Sequence, residues 1–360
     1  MCFFLGALCV SFAPFAVHFH SEDYRKDAKK DPLEFLSASP LETILRTINL
    51  GKQFSTRWAV RDLNLEVHKG DVFGFLGPNG AGKSTTIRML LSLIRPTTGD
   101  IELFGKSLRE NRRACLSRVG GLVESADFYL YLSARRNLEI VGAMLGGVAS
   151  SSIDRVLELV DLSDRAPDKV KTFSHGMKQR LGIAQTLLGS PECIILDEPT
   201  TGLDPQGIKD VRELIRRLAS EKGLTVFLSS HLLGEIEQTA TSMAIINEGT
   251  LVVQGKVQEL LSESVGSVRI EAHPIDRARD LLQREPVVKA ISTNDRFLDL
   301  EVPGAEAPRL NALLVHAGIE VRAVIPRRSL EEYFLALTEQ AQKSESSTVG
   351  RIGGHGSRRH

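Results

Sequence analysis

The chain has 360 residues, more than one compact core holds, and its length suits two domains with appendages. Lys plus Arg and Asp plus Glu stand at 45 each, so the formal charge is zero and no basic surplus points to a nucleic-acid partner. Four cysteines, Cys2, Cys9, Cys115 and Cys193, lack paired or metal-like spacing. They suit a reducing compartment, act as small apolar residues and suggest no metal site.

Met1 to Phe19 is almost purely apolar and carries no Lys, Arg, Asp or Glu. Three readings compete. A secretory signal would carry a basic n-region, which this stretch lacks. A membrane span needs about 20 apolar residues, and this run is borderline with Pro14 inside it. The third reading, a segment outside the folded domain entered from an upstream start codon, is favoured because Ser21 to Pro40 is polar and patternless, as linkers are. Residues 1–40 are therefore expected outside the fold, with ordered structure beginning near Leu41.

Alternation over Ile44 to Leu50 and Leu63 to Val67 predicts antiparallel strands half buried against a core. Phe54 and Trp58 are expected on the loop between them, where an aromatic offers a flat apolar face for an adenine ring. Val72 to Leu76 then reads as a buried strand, and Ile87, Leu90, Leu91 and Ile94 recur at helical spacing. Between them lies Gly77-Pro78-Asn79-Gly80-Ala81-Gly82-Lys83-Ser84-Thr85, the pattern of a phosphate-binding loop in the strand–loop–helix setting it requires. Its glycines permit positive φ and leave backbone N–H groups free to converge on phosphate oxygens at a helix N-terminus. Lys83 adds a point charge, and the Ser84 hydroxyl can bind Mg2+.

Pro96 to Asp100 is turn chemistry and Ile101 to Gly105 a further short strand. From about 106 to 190 the pattern becomes helical, over Ser133 to Met144, Ser152 to Val160 and Gly176 to Leu188, with Ser133 and Ser152 as N-caps. This predicts a helical subdomain. Val119 to Glu124 within it reads as a strand ending in an acid. Phe173 to Arg180 reads as a loop opening a helix, whose first amides and Gly176 could form an anion site.

Cys193-Ile194-Ile195-Leu196-Asp197-Glu198-Pro199 is an apolar strand ending in two adjacent carboxylates. In open α/β sheets the ligand lies beyond the carboxyl ends of the strands, so Asp197 and Glu198 belong to the phosphate site. Thr200 to Pro205 is a loop, followed by a charged amphipathic helix to Ala219. Thr225 to Ser230 is a strand ending at His231, which shares that end of the sheet. Met243 to Asn247 and Thr250 to Gln254 flank a turn at Glu248-Gly249.

After Leu261 the order is β-α-β-β-α-β, that of a ferredoxin-like unit. Its strands are Val268 to Ala272, Val287 to Ile291, Phe297 to Val302 and Ile319 to Ile325, with a turn at Asn294-Asp295. Asp276 to Leu282 and Arg309 to His316 are its helices. A helix over Ser329 to Thr338 and a disordered tail from about residue 341 close the chain.

From Leu41 to Leu261 the chain strongly resembles the nucleotide-binding subunit of ABC transporters. Gly77 to Thr85 matches the Walker A loop, Phe173 to Arg180 the family signature, Ile194 to Glu198 Walker B, Gly202 to Pro205 the D-loop and His231 the switch histidine. The fold class implied is an α/β P-loop core of ABC type, with an antiparallel β subdomain, a helical subdomain and the small C-terminal α+β domain of 262–340. Two positions depart from the general pattern: Glu124 replaces the usual glutamine, and the signature reads Ser174-His175-Gly176 rather than Ser-Gly-Gly. Leu122-Val123-Glu124-Ser125, Ser174 to Leu181, Ser229 to Leu233 and Ser329-Leu330-Glu331-Glu332-Tyr333-Phe334 resemble the bacitracin and lantibiotic exporter branch of the drug exporters. Ala240-Thr241-Ser242 stands where an acid is usual.

The resemblance implies ATP hydrolysis with Mg2+ in a dimer of nucleotide-binding domains docked on a membrane-spanning permease at the cytoplasmic face. Phe54 would stack on adenine, and Ser84 and Asp197 would hold Mg2+. Glu198 would polarise the attacking water and His231 contact the γ-phosphate. Ser174, His175, Gly176 and Met177 would complete the partner's site. Glu124 and Asp204 would couple the site's state to the rest of the assembly, with Glu124 also near Mg2+. A soluble ATPase of the same fold with a regulatory, non-transport role is the alternative. Those proteins usually carry two cassettes or a coiled-coil insertion, and neither is in this sequence.

Overall fold

The computed structural model describes residues 42–124, 126–263, 267–294, 296–303 and 306–327. The N-terminal apolar stretch and linker, Ser125, Asp295 of the expected turn, the helix expected over Ser329 to Thr338 and the tail lie outside the described residues.

Two long strands, β1 (Thr43–Phe54) and β2 (Arg57–His68), pair antiparallel. Alternation places Leu63, Leu65 and Val67 inward on β2, an irregularity at Asp62 brings Val60 to the same side, and all four are buried. Both strands run past the predicted spans, so Phe54 and Trp58 lie in the strands rather than on a loop. Phe54 pairs with Arg57, and Trp58 with Gln53. β3 (Val72–Leu76) leads into α1 (Lys83–Leu90), after which β4 (Thr98–Leu103) and β5 (Lys106–Ser107) complete a sheet in the order β2-β1-β4-β5.

The stretch expected to be helical from 106 instead begins by serving both sheets. β5 joins the antiparallel one, α2 (Arg112–Leu116) follows, and β6 (Val119–Leu122), the strand expected over Val119 to Glu124, forms an edge of the central sheet. Apolar Leu108 and Cys115 drive this, since both are buried in the core beneath the antiparallel sheet. The helices proper are α3 (Ala134–Met144), α4 (Ser150–Leu159) and α5 (His175–Leu187). Ser133 caps α3 by accepting the N–H of Arg136 at 3.1 Å. Ser152, expected to cap α4, lies within its first turn, and the cap position is Ala149.

The central sheet adds β7 (Cys193–Leu196), β8 (Thr225–Ser230), β9 (Ser242–Asn247) and β10 (Thr250–Lys256), in the order β10-β9-β3-β8-β7-β6. Every pairing from β9 to β6 is parallel, and β10 turns back on β9. The two turn residues between β9 and β10, Glu248 and Gly249, both have positive φ, as a tight hairpin demands.

Apolar runs in the central strands divide strictly by parity. Val72, Ile194, Leu196, Val226 and Leu228 face the helices, whereas Phe73, Phe75, Cys193, Ile195 and Phe227 face the antiparallel sheet. Phe227 packs 5.4 Å from each of the Phe73 and Phe75 rings. Truncating it to Ala would cost about 3–5 kcal/mol. Burial also pushes the Cys193 thiol up to about 12, which makes it an inert apolar filler.

Between β7 and β8 runs α6 (Pro205–Lys222), which buries Val211, Leu214, Ile215 and Leu218 at helical spacing. Asp204 accepts the N–H of Gly207 at 3.2 Å, Pro205 begins the helix, and Gly223 ends it at φ 64. α7 (Leu233–Thr239) follows β8, and α8 (Val257–Glu263) follows β10.

The remaining elements are β11 (Ser267–His273), α9 (Ile275–Leu282), β12 (Ala290–Asn294), β13 (Phe297–Glu301), α10 (Ala307–His316) and β14 (Glu320–Arg327). They form an antiparallel sheet in the order β12-β13-β11-β14 over a core of their own, centred on Val268, Ile270, Leu298, Leu310 and Leu314. β12 begins three residues later than the sequence pattern suggests, because Val287 and Val288 pack inward ahead of the strand.

Candidate active site

Strand order decides the site. β3, β8 and β7 are neighbours, so the phosphate loop after β3, His231 after β8 and Asp197-Glu198 after β7 emerge side by side at one edge of the sheet. Gly77 N–H donates to the Ser230 carbonyl at 3.3 Å, which ties the start of the loop to the end of β8. Gly82 has φ 107, and a Cβ there would meet the Ala59 carbonyl oxygen at 2.5 Å, so only glycine fits. Its successor Lys83 opens α1, which directs that helix's free N–H groups into the loop.

Lys83 is 6% exposed. Its ammonium donates to the Gly77 carbonyl at 2.7 Å and the Pro78 carbonyl at 3.3 Å, and lies 3.3 Å from Oε1 of Glu198. Glu198 Oε2 accepts from Thr201 Oγ1 at 3.0 Å and meets His231 Nδ1 at 2.7 Å. Burial disfavours the charge on Glu198, but the His231 bond and the Lys83 ammonium outweigh it and hold the carboxyl below its ordinary value of 4.5. Glu198 also has φ 48, an uncommon backbone for a residue with a Cβ. Beside it Asp197 is buried, and its Oδ1 accepts from Ser229 Oγ at 2.7 Å.

Lys83, Glu198, Thr201 and His231 line a cleft of about 400 Å³ with Ala59, Asn79, Gly80, Gly82, Ser84 and Thr85, whereas buried Asp197 lies behind Glu198 and is not among the lining residues. A glycine-built backbone cradle and a buried ammonium fit a triphosphate. One hydroxyl, Ser84, and one carboxylate, Asp197, are hard oxygen donors of the kind that hold Mg2+ when phosphates and water complete its shell. Among the described residues no three His, Cys, Asp or Glu converge into a metal cage.

Other predicted residues stand apart from the cleft. Phe54 is 50% exposed beneath the Lys52 ammonium, and the neighbouring strand reaches the cleft at Ala59 instead. Glu124, at φ 61 and exposed, is ion-paired with Arg88 of α1 and does not line the cleft. Ser174 caps α5 by accepting the Met177 N–H at 3.2 Å, and Ser174 and His175 are exposed. None of Ser174, His175, Gly176 and Met177 lines the cleft of its own chain. Asp204 acts as the α6 cap. Sequence reasoning missed Thr201, Ser229 and Arg88. Ser229 had a readable signal, a polar pair closing an otherwise apolar strand at the ligand end of the sheet.

Residues 60–201, which span the loop and both carboxylates, match the family model described as ABC transporter. The chain is 42% identical to the bacitracin transport ATP-binding protein BcrA of Bacillus licheniformis over 299 residues, 82% of this chain and 98% of that protein. The chain belongs to the ABC transporter ATP-binding subunits. It is also 43% identical to the lantibiotic transport ATP-binding protein SrtF of Streptococcus pyogenes, over 59% of this chain and 90% of that protein. Among solved structures it resembles cbiO1 of Clostridium perfringens, described as part of the ABC transporter complex cbiONQ. That match has a TM-score of 0.57 at 25% identity, covering 68% of this chain and 96% of that one. As an ABC ATP-binding subunit the protein binds and hydrolyses ATP and works with a membrane permease component. No described helix is long and apolar enough to cross a membrane.

Proposed function

We propose that this subunit powers export of antibiotic peptides or drugs, as a dimer of cassettes at the cytoplasmic face of the membrane. The observation that carries the substrate class is the extent of the BcrA match. Its 299 aligned residues exceed what the cassette of 42–261 can hold, so the likeness runs on beyond the ATPase. SrtF, whose name also assigns it to a peptide antibiotic, points the same way.

In the proposed mechanism the Lys83 ammonium and the loop amides hold the β- and γ-phosphates. Ser84 and Asp197 would hold Mg2+, which supplies charge neutralisation between those phosphates. Glu198, ionised at neutral pH, accepts a hydrogen bond from the attacking water and aligns it. His231 donates to Glu198 through Nδ1, and contact with a γ-phosphate oxygen through Nε2 requires a proton there as well. Lys83 and Glu198 are partners in the chain alone, so a γ-phosphate that takes the ammonium frees Glu198 to turn to water. Ser174, exposed, and Gly176, half-buried, are both absent from their own chain's cleft and supply N–H and hydroxyl groups to the cleft of a second cassette. Asp204 and Glu124 link that interface and the permease to the site.

The experiment is ATP turnover by the purified chain beside Glu198→Gln. The variant is expected to bind ATP normally and to lose roughly 10²- to 10⁴-fold in kcat. Wild-type turnover in Glu198→Gln would remove Glu198 from its role.

A further inference from the structure

Asp197 and Glu198 are adjacent, yet they serve different partners, so their side chains must diverge. One buried hydroxyl touches both residues. Ser229, next to last in β8, is fully buried. Its Oγ lies 2.7 Å from Asp197 Oδ1 and 2.9 Å from the Glu198 amide nitrogen. Chemistry fixes the direction of both bonds. The Glu198 N–H only donates, so Ser229 Oγ accepts there, and its single proton goes to Asp197. Asp197 therefore has Oδ1 committed to Ser229, which leaves Oδ2 as the oxygen for the Mg2+ role proposed above. The same hydroxyl anchors the Glu198 backbone at its unusual φ of 48.

Ser230 acts on the next loop from the opposite side of the strand. Its Oγ donates to Glu235 Oε2 at 3.1 Å, and that oxygen also accepts from Thr200 Oγ1 at 2.5 Å. The serine pair thus ties the end of β8 to the chain on either side of Pro199, and Ser229 holds the half that carries the carboxylates.

We infer that Ser229 is a positioning residue for ATP hydrolysis, whose hydroxyl sets both the orientation of the Asp197 carboxylate and the backbone turn that aims Glu198. The inference rests on the roles proposed above for those two acids. It separates Ser229 from an ordinary buried serine, whose loss would lower stability and spare the division of labour between the acids.

The test compares Ser229→Ala and Ser229→Thr in the full-length chain. Trp58 is the chain's one tryptophan and neighbours Ala59 of the cleft, so its fluorescence serves as the readout of ATP binding. Ser229→Ala is expected to bind ATP in EDTA as the wild type does. Its kcat and the Mg2+ affinity of the ATP-loaded protein should each fall roughly 10- to 100-fold. Ser229→Thr, which keeps the hydroxyl, recovers most of both. Wild-type kcat and Mg2+ affinity in Ser229→Ala overturn the inference, as does a loss that Ser229→Thr fails to recover while it still binds ATP in EDTA. If the alanine variant does not fold, Ser229→Cys takes its place, and a cysteine variant with wild-type kcat is the contrary result. Failure of the underlying roles shows separately, as a Glu198→Gln variant that still turns over at the wild-type rate.

Discussion

The ammonium of Lys83 stands 3.3 Å from Oε1 of Glu198, which joins the end of β3 to the end of β7 across the intervening β8. Both groups are withdrawn from water, Lys83 almost completely and Glu198 to 24% of its side chain, so the pair is stronger than a surface ion pair. In the proposed mechanism the γ-phosphate and Glu198 compete for this one cation.

Lys83→Ala removes a buried charged donor from the phosphate cradle. ATP affinity should fall roughly 10- to 100-fold, the worth of one hydrogen bond to a charged group. Titration of the Trp58 fluorescence with ATP measures it.

Acid should weaken the protein partly through Glu198. Its carboxyl is held below 4.5 in the folded chain by His231 and Lys83 against the opposing effect of burial. The folded state therefore binds this proton less readily than the unfolded state does. The stabilisation is complete above the ordinary carboxylate value and is lost as pH falls through the depressed folded value. The difference in melting temperature between wild type and Glu198→Gln should be largest near neutral pH and shrink below pH 4.5. A difference that grows on acidification would reverse the sign.

Gly120 of β6 tests how closely α5 packs on the central sheet. A Cβ there would stand 2.3 Å from the backbone oxygen of Thr186, and backbone cannot swing aside as a side chain can. Gly120→Ala should cost about 1–3 kcal/mol. Thermal unfolding should show a drop of several degrees, with ATP affinity retained because the change lies outside the cleft.

Much of this site was legible because its motifs are local. The glycines around Lys83 and the acids ending the Ile194-Ile195-Leu196 run declare their chemistry within a few residues. Strand order was not legible, and it alone brings His231 beside Glu198. Ser229 and Thr201 escaped notice because a serine or threonine acquires its role from whichever strand lies next to it. Glu124 was expected near the phosphates, yet its positive φ and Arg88 direct it elsewhere in this chain. Val119 to Leu122 was legible as a strand, but the two-residue strand Lys106–Ser107 was not, because so short a segment has no period of its own and only pairing with β4 decides it.

The central claim is that the cleft around Lys83 and Glu198 is half of a site completed by Ser174 of a second cassette. The most direct measurement is the ATPase rate of Ser174→Arg, of Lys83→Ala and of their equimolar mixture. Each variant alone should be inactive, and Ser174→Arg should still bind ATP. The mixture should regain up to about a quarter of the wild-type rate, since half of its dimers then hold one intact site of two. Wild-type turnover by Ser174→Arg on its own would contradict the account.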